Sequence, residues 1–255
     1  MSLSPDRLSR FARHIVLPEV GGAGQVALAG AHVVIVGLGG IGSPALQYLA
    51  GAGVGTLTLI DRDVVDLSNL QRQTIYRAAD VGRAKAEVAA HWVHQFDGAL
   101  KIRTNTGEVG GGSAAQDLEG ADLVLDGCDN FATRLIVSDT CTALGIPLTS
   151  AAIGRFQGQV ANFAGHLPGQ ACYRCFVGDA FDADDCDTCA ADGVLGAMAG
   201  MIGAFAALQA VRVLLAGRAT LGDPQWGQLH LFEGLVPSLR TMRIAKDAEC
   251  RGCNK

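Results

Sequence analysis

The hydrophobic pattern changes period several times along the chain. His32 to Val36 (HVVIV) is a continuous apolar, β-branched run, the pattern of a strand buried on both faces. A glycine-rich turn follows. The spacing then predicts a helix from about Gly42 to Ala52, with Pro44 tolerated in its first turn and Gly51 and Gly53 as stop signals. Thr56 to Ile60 (TLTLI) reads as the next strand and ends on Asp61. A long polar connection leads to a predicted helix around Gly82 to Phe96, and Lys101 to Asn105 reads as a weak third strand. Leu123 to Asp126 (LVLD), a helix near Phe131 to Leu144, and a strand at Pro147 to Ala151 complete this part. Strands alternating with helices predict an α/β fold with a doubly wound, mostly parallel, Rossmann-like sheet.

After about residue 150 the pattern changes to an extended run at QVANF, a cysteine-bearing loop, a long apolar segment, and two strands, QLHLF and SLRTMRI, expected to be antiparallel. The apolar segment, Val194 to Ala216, is interrupted by Gln209 and Arg212, and a membrane span needs about 20 apolar residues. It reads as a helix buried all round, with Gly196, Gly200 and Gly203 allowing close packing against another helix or a second subunit. The N-terminal MSLSPDRLSRFARHIV lacks the apolar core of a signal peptide, so a cytoplasmic protein without a membrane partner is expected. No Pro/Ser-rich linker separates the halves, which predicts one domain over 1–255.

Composition sharpens this picture in three ways. The 255 residues are 49% hydrophobic and 18% charged, enough to bury a sizeable core. The 34 glycines point to tight turns and close backbone contacts. The net charge of −5 argues against a general nucleic-acid binder.

Gly37-Leu38-Gly39-Gly40-Ile41-Gly42 directly follows the first strand and opens a helix, the context in which glycines let a backbone approach phosphate. Asp61, at the tip of the second strand, is placed to accept both hydroxyls of a ribose. The turn alone does not separate NAD, FAD and ATP. Beyond it lie Asp63, Asn69, Arg72, Gln73 and Lys85, of which Asn69, Arg72 and Lys85 add donors and positive charge suited to β- and γ-phosphates; a dinucleotide has only a bridging pyrophosphate, which the glycine turn already serves. Asp129 and Asn130 follow the fourth strand at the same sheet edge, where an exposed carboxylate suits Mg²⁺. The competing readings are a solvated loop for Arg72 and Lys85 and a helix cap for Asp129.

The eight cysteines include three Cys-x-x-Cys pairs, Cys172/Cys175, Cys186/Cys189 and Cys250/Cys253. Without an export signal these read as metal or catalytic thiols before disulfides. Two pairs make a closed tetrahedral zinc site, but three pairs leave the choice of two open. The six histidines read as structural, His91 and His94 on a helix surface and His32 and His230 in strands.

VVIVGLGGIG, LTLIDRDVVDLSNLQRQ, VGRAKA, DGCDN and the outer Cys-x-x-Cys pairs together resemble the ThiF/MoeB family of adenylyltransferases, relatives of the ubiquitin-activating enzymes. The resemblance runs from Arg10 to Cys253. It implies an enzyme that uses ATP to adenylate the C-terminal glycine of a ubiquitin-like sulfur-carrier protein ending in Gly-Gly, releasing pyrophosphate, for cofactor biosynthesis or thiolation. It gives Gly39 to the phosphate turn, Asp61 to the ribose, Asn69, Arg72 and Lys85 to the phosphates, and Asp129 to Mg²⁺. It favours Cys172, Cys175, Cys250 and Cys253 as the Zn²⁺ ligands. It also implies a homodimer in which Arg13 reaches the γ-phosphate in the other subunit. Cys189 falls where many members carry a cysteine that accepts the acyl group or sulfur; an inert loop cysteine is the competing reading, and Cys186 beside it departs from the pattern. The part near 30–150 would then bind nucleotide and the part near 151–255 zinc and the partner. No rhodanese-like segment follows Cys253, so a separate sulfur donor is expected. Three alternatives stand beside this reading. One is an NAD-dependent oxidoreductase, which leaves Arg72, Lys85 and Asp129 without work. The others are a family member adenylating a tRNA-bound carboxyl group and a zinc-stabilised binding protein.

Overall fold

The structure, a computed structural model, describes residues 3–110, 112–178 and 193–254. Its frame is an eight-stranded sheet: β1 (His32–Val36), β2 (Thr56–Ile60), β3 (Lys101–Asn105), β4 (Leu123–Asp126), β5 (Leu148–Gly154), β6 (Gln157–Phe163), β7 (Gln228–Glu233) and β8 (Ser238–Arg243), in the order β3-β2-β1-β4-β5-β6-β7-β8. β1 to β5 are parallel and β6 to β8 antiparallel. The expected antiparallel extension therefore begins one strand earlier, with a hairpin at Arg155 and Phe156 turning β5 into β6. The chain winds outward from β1 through β2 to β3, then returns to the other side of β1 as β4, so a crevice opens where the order reverses. The register holds that edge level: Val36 lies beside both Ile60 and Asp126.

The buried runs read from the sequence bury both faces of β1. Ile35 faces a core shared with Leu57, Leu59, Leu125 and Ile202, and Val34 and Val36 face a second core with Ile60, Val124, Val137 and Leu148. Helices α1 (Pro5–Arg10), α2 (Ala12–Ile15), α3 (Gly21–Gly30), α4 (Gly42–Ala52), α5 (Lys85–Phe96), α6 (Ala114–Leu118), α7 (Phe131–Leu144), α8 (Tyr173–Val177) and α9 (Gly196–Leu214) cover these faces. Two one-turn 3₁₀ segments, Leu67–Asn69 and Ala78–Asp80, break up the long connection after β2.

The apolar helix α9 needs correction. It packs against α4, β5 and β6, and Asn162 donates to its Gln209 at 3.1 Å. It is not buried all round, because Met201 is 41% and Leu208 45% exposed. Gly203 sits so close to Pro44 and the Ile41 carbonyl that a Cβ would not fit, and Gly196 lies as near the Gln71 carbonyl. Gly200 has open space around it. α9 is long and apolar enough to cross a membrane, the sole such helix among the described residues, but its packing on the sheet makes it a core helix.

Candidate adenylation site and cysteine cluster

The glycine turn is built by exclusion of side chains. Gly37 has φ +83° and lies against the Cys128 backbone, where a Cβ would come within 2.9 Å. A Cβ on Gly42 would overlap the Gly37 carbonyl, so the chain can double back into α4 only with glycine at these two positions. α4 thus starts at the sheet's carboxyl edge, where the Ser43 and Ala45 N–H groups donate to the Gly39 and Ile41 carbonyls at 3.0 and 3.1 Å and Pro44 has no N–H, so the glycine turn itself is the backbone presented to the crevice. The Tyr76 hydroxyl pins the turn by donating to the Leu38 carbonyl at 3.0 Å.

The crevice is a cleft of about 640 Å³. It is lined by Gly37, Gly39, Gly40, Asp61, Asp63, Asn69, Arg72, Gln73, Lys85, Asp129 and Asn130, so the residues expected to bind nucleotide come together in one place. Gly42 stands just behind them at the head of α4. Asp61 is held at the tip of β2, its two oxygens accepting from the Leu38 N–H (2.7 Å) and the Asp63 N–H (2.8 Å). Lone pairs remain on both oxygens for a ligand hydroxyl. Burial raises its carboxyl above the usual value, and the Lys85 ammonium and those two N–H groups oppose the rise. Lys85 opens α5 and is 5% exposed, its Nζ 2.9 Å from Asp63 Oδ2. That burial removes the solvated-loop reading for Lys85. Arg72 packs its Cδ by Gly40 and donates to the Ser68 carbonyl at 3.1 Å.

Two details bear on what the cleft could hold. Gln73 is 2% exposed and its Oε1 has no hydrogen-bond partner among the described residues. A buried amide acceptor without a partner is costly, and a donor on a bound nucleotide would satisfy it. Asn130 also corrects one expectation. It, and not Asp129, caps α7, with Oδ1 accepting from the Thr133 N–H at 2.9 Å. The cap commits that Asn130 oxygen to the helix and leaves the Asp129 carboxylate exposed beside the phosphate side of the cleft.

Arg13 does not join this site within the chain. It is exposed on α2, and the neighbouring Phe11 ring fills the space at Gly53, just past the end of α4. The glycine turn is at the other end of that helix of 11 residues, about 16 Å away. Cys189 and Cys186 lie outside the described residues. The chain re-enters at Gly193, whose carbonyl accepts from Arg155 N at 2.9 Å, and Val194 lines the cleft.

The outer cysteine pairs meet on the far side of α7. Cys172, Cys175, Cys250 and Cys253 place their sulfurs within 4.8 Å of one another, with neighbouring pairs at 3.8, 3.5 and 3.5 Å. These separations are too long for disulfides. They fit the edge of about 3.8 Å that four Zn–S bonds of ~2.3 Å impose on a tetrahedron, so the donor set and spacing suit zinc. Arg174, between the first two cysteines, makes a two-pronged pair with Asp139 of α7 at 2.7 and 2.8 Å.

Sequence reasoning missed Arg134, which lines the inner wall of the cleft, and Asp126 and Tyr173 behind it. The available signal was a charge ending the apolar strand LVLD and an arginine one turn into the following helix.

A glycine turn at the switch point, a carboxylate at the tip of β2 and cations beyond it, gathered around one cleft, define an α/β protein of the nucleotide-binding class. The ThiF family profile matches residues 11–252, and the chain belongs to the ThiF family, as an enzyme of the adenylyltransferase kind. It is 37% identical over 255 residues to the SAMP-activating enzyme E1 of Haloferax volcanii, covering all of this chain and 92% of that protein. It is 37% identical over 258 residues to the sulfur carrier protein adenylyltransferase of Thermus thermophilus, covering 99% and 93%. It is 39% identical over 245 residues to the adenylyltransferase and sulfurtransferase MOCS3 of Mus musculus, which covers 96% of this chain; the chain spans 52% of that longer protein. Among solved structures, E. coli MccB with ATP matches with TM-score 0.75 and 19% identity over 98% of this chain and 75% of that one, a likeness of fold.

Proposed function

We propose that this enzyme adenylates the C-terminal glycine of a ubiquitin-like sulfur-carrier protein with ATP and releases pyrophosphate. The observation that carries the reading is the buried Lys85 at the floor of the cleft, with Arg72 and Asn69 beside the Gly39–Gly40 turn. An oxidoreductase would have no use for that arrangement. The relatives' names, which specify a sulfur carrier and SAMP as what those proteins activate, support the choice of substrate.

A C-terminal carboxylate has a pKa of about 3.5 and is already ionised at neutral pH. It needs no general base, in keeping with a cleft that no histidine lines among the described residues. The barrier is the approach of an anion to the α-phosphate of a polyanion. Asp61 orients the ribose, the Gly39–Gly40 turn receives the phosphates, and Lys85, Arg72 and Asn69 draw charge toward the departing pyrophosphate. Asp129 and the cleft edge would hold Mg²⁺, which supplies charge neutralisation at the phosphates. Arg13 completes the γ-phosphate side from a second copy in a homodimer. Exposed Tyr48 on α4 and Met201 and Leu208 on α9 lend support to such pairing. The cysteine cluster holds a structural Zn²⁺. Adenylation uses no enzyme thiol, which leaves Cys189 to a later acyl or sulfur transfer involving a separate donor, in a cytoplasmic setting.

The test is ATP–pyrophosphate exchange. The protein should support it with a carrier ending in Gly-Gly and not with one lacking the terminal glycine. Asp129→Ala should reduce it about 10²- to 10³-fold, the scale of losing one key electrostatic group. Full exchange in that variant would exclude the role given to Asp129, and NAD binding without ATP binding would overturn the function.

A further inference from the structure

A buried ion pair forms the inner wall of the cleft, with Arg134 among the lining residues and Asp126 behind it. Asp126, the last residue of β4, is fully enclosed, and Arg134 of α7 is 6% exposed, with Nη1 3.3 Å from Asp126 Oδ2. The same guanidinium donates to Ser150 Oγ at 3.1 Å and to the Ala151 carbonyl at 2.7 Å. It also donates to the Cys128 carbonyl. From the other side, Asp126 Oδ1 accepts from the Cys128 N–H at 3.0 Å and from its thiol at 2.7 Å. Asp126 and Arg134 therefore grip the residue immediately before Asp129 by its N–H, side chain and carbonyl. The loop from Gly127 to Asn130 is fixed to β4 and β5 as well as to α7.

Tyr173 stands behind this grip. Burial raises its phenol above the usual value, and the neighbouring Arg134 guanidinium opposes that rise. Its ring packs edge-on against Phe163 at 5.7 Å and tilted against Phe131 at 6.4 Å. Tyr173 directly follows Cys172 in the cysteine knuckle, so the same helix that carries two sulfur ligands also backs the arginine. A buried ion pair is a poor device for stability alone, since apolar replacements often serve as well. What a planar five-donor fork offers here is a defined position for a backbone carbonyl.

Resting on the adenylation reading above, we infer that Arg134 is a positioning residue: through the Cys128 carbonyl it sets where Asp129 stands in the cleft, and Tyr173 makes that hold depend on the cysteine knuckle. Although Arg134 lines the cleft wall, its Nη1 and Nη2 are committed to Asp126, Ser150, Ala151 and Cys128, which makes its role one of positioning. Its effect should fall on the metal and phosphate side of the site and spare the ribose side held by Asp61.

The experiment compares Arg134→Lys, Arg134→Met and Tyr173→Phe in the full chain. It measures exchange with carrier against Mg²⁺ and ATP concentration, ATP binding by calorimetry with and without Mg²⁺, zinc content, and melting midpoint. Arg134→Met should lower kcat and raise the Mg²⁺ requirement about ten- to a hundredfold, the usual cost of losing a group that orients a ligand-bearing one. Arg134→Lys should restore part of this. Tyr173→Phe should show the same Mg²⁺-side defect in smaller degree at unchanged zinc content and midpoint. ATP binding without Mg²⁺ should stay within about twofold of wild type in every variant.

If Arg134→Met does not fold, Tyr173→Phe and Arg134→Lys decide the matter. Well-folded variants whose Mg²⁺ dependence matches wild type would overturn the inference, as would equal losses of ATP binding with and without Mg²⁺. Absence of exchange in the wild type would instead count against the carrier as substrate. The Mg²⁺-dependent part of ATP binding would then still test Arg134.

Discussion

At the scale of single residues, Asp61 shows a cost carried for function. Burial lifts its carboxyl above 3.8, so the folded chain keeps the proton to higher pH than the unfolded chain does. The unfolded state therefore binds fewer protons between 3.8 and the raised value, and Asp61's contribution to stability falls as pH rises through that window. At neutral pH the ionised carboxylate opposes folding, while its acceptor lone pairs are what a ribose needs. Asp61→Asn removes that charge but keeps one acceptor oxygen for two N–H donors, so the lost hydrogen bond, about 1–3 kcal/mol, offsets the relief and the melting midpoint at pH 7.5 should not rise. The same change should weaken ATP binding about tenfold or more, the scale of losing hydrogen bonds to a charged group. Calorimetric titration beside thermal denaturation checks this; a raised midpoint with undiminished ATP affinity would contradict it. Wild-type affinity should also fall as pH descends through the raised value, and Asp61→Asn should flatten that dependence.

At the scale of elements, the cysteine knuckle and the chain's C-terminal segment form one unit only if something joins them. Cys172 and Cys175 come from the start of α8, Cys250 and Cys253 from the segment after β8, and no disulfide links them. The chain should bind one Zn²⁺, and serine at any of the four should release it and lower the melting midpoint. Cys186→Ser should keep it. Metal analysis of purified variants decides, and zinc retained by Cys250→Ser but lost from Cys186→Ser would transfer the site to other pairs. Elements with strong local periodicity were legible in advance, since β1, α4 and α7 carry their burial pattern in consecutive residues. The N-terminal helices were not. α1 and α2 are 6 and 4 residues long, too short to stand alone. They are held by distant partners: Arg7 with Asp97, Arg10 with the Phe96 carbonyl, and Phe11 against Gly53. The same distinction runs through the site. The glycine turn, Asp61 and the Cys-x-x-Cys pairs announce themselves by spacing, whereas Arg134 acquires its role from Asp126, Cys128 and Ala151, which only the fold gathers.

At the scale of the whole molecule, the position of Arg13 sets the sharpest demand. Phe11 seated at Gly53 keeps α2 at the far end of α4, so an arginine there serves a phosphate site only if a second copy brings it across. Such an arrangement is isologous, each copy lending its Arg13 to the other. The exposed Tyr48, Met201 and Leu208 lie on α4 and α9, two helices packed against each other, and supply apolar side chains for such a contact. The prediction is complementation between two inactive variants. Arg13→Ala and Asp129→Ala should each be defective in pyrophosphate exchange alone. In a mixed dimer, one site combines the intact Asp129 of the first chain with the intact Arg13 of the second, while the other site lacks both. Equal mixing makes half of the dimers mixed, each with one working site, so exchange should recover to about a quarter of wild type. Recovery should require conditions that let subunits exchange, such as dilution and reconcentration, and should be absent from either variant treated alone. If Arg13 acted within its own chain, the mixed dimer would hold two defective sites and no recovery would appear.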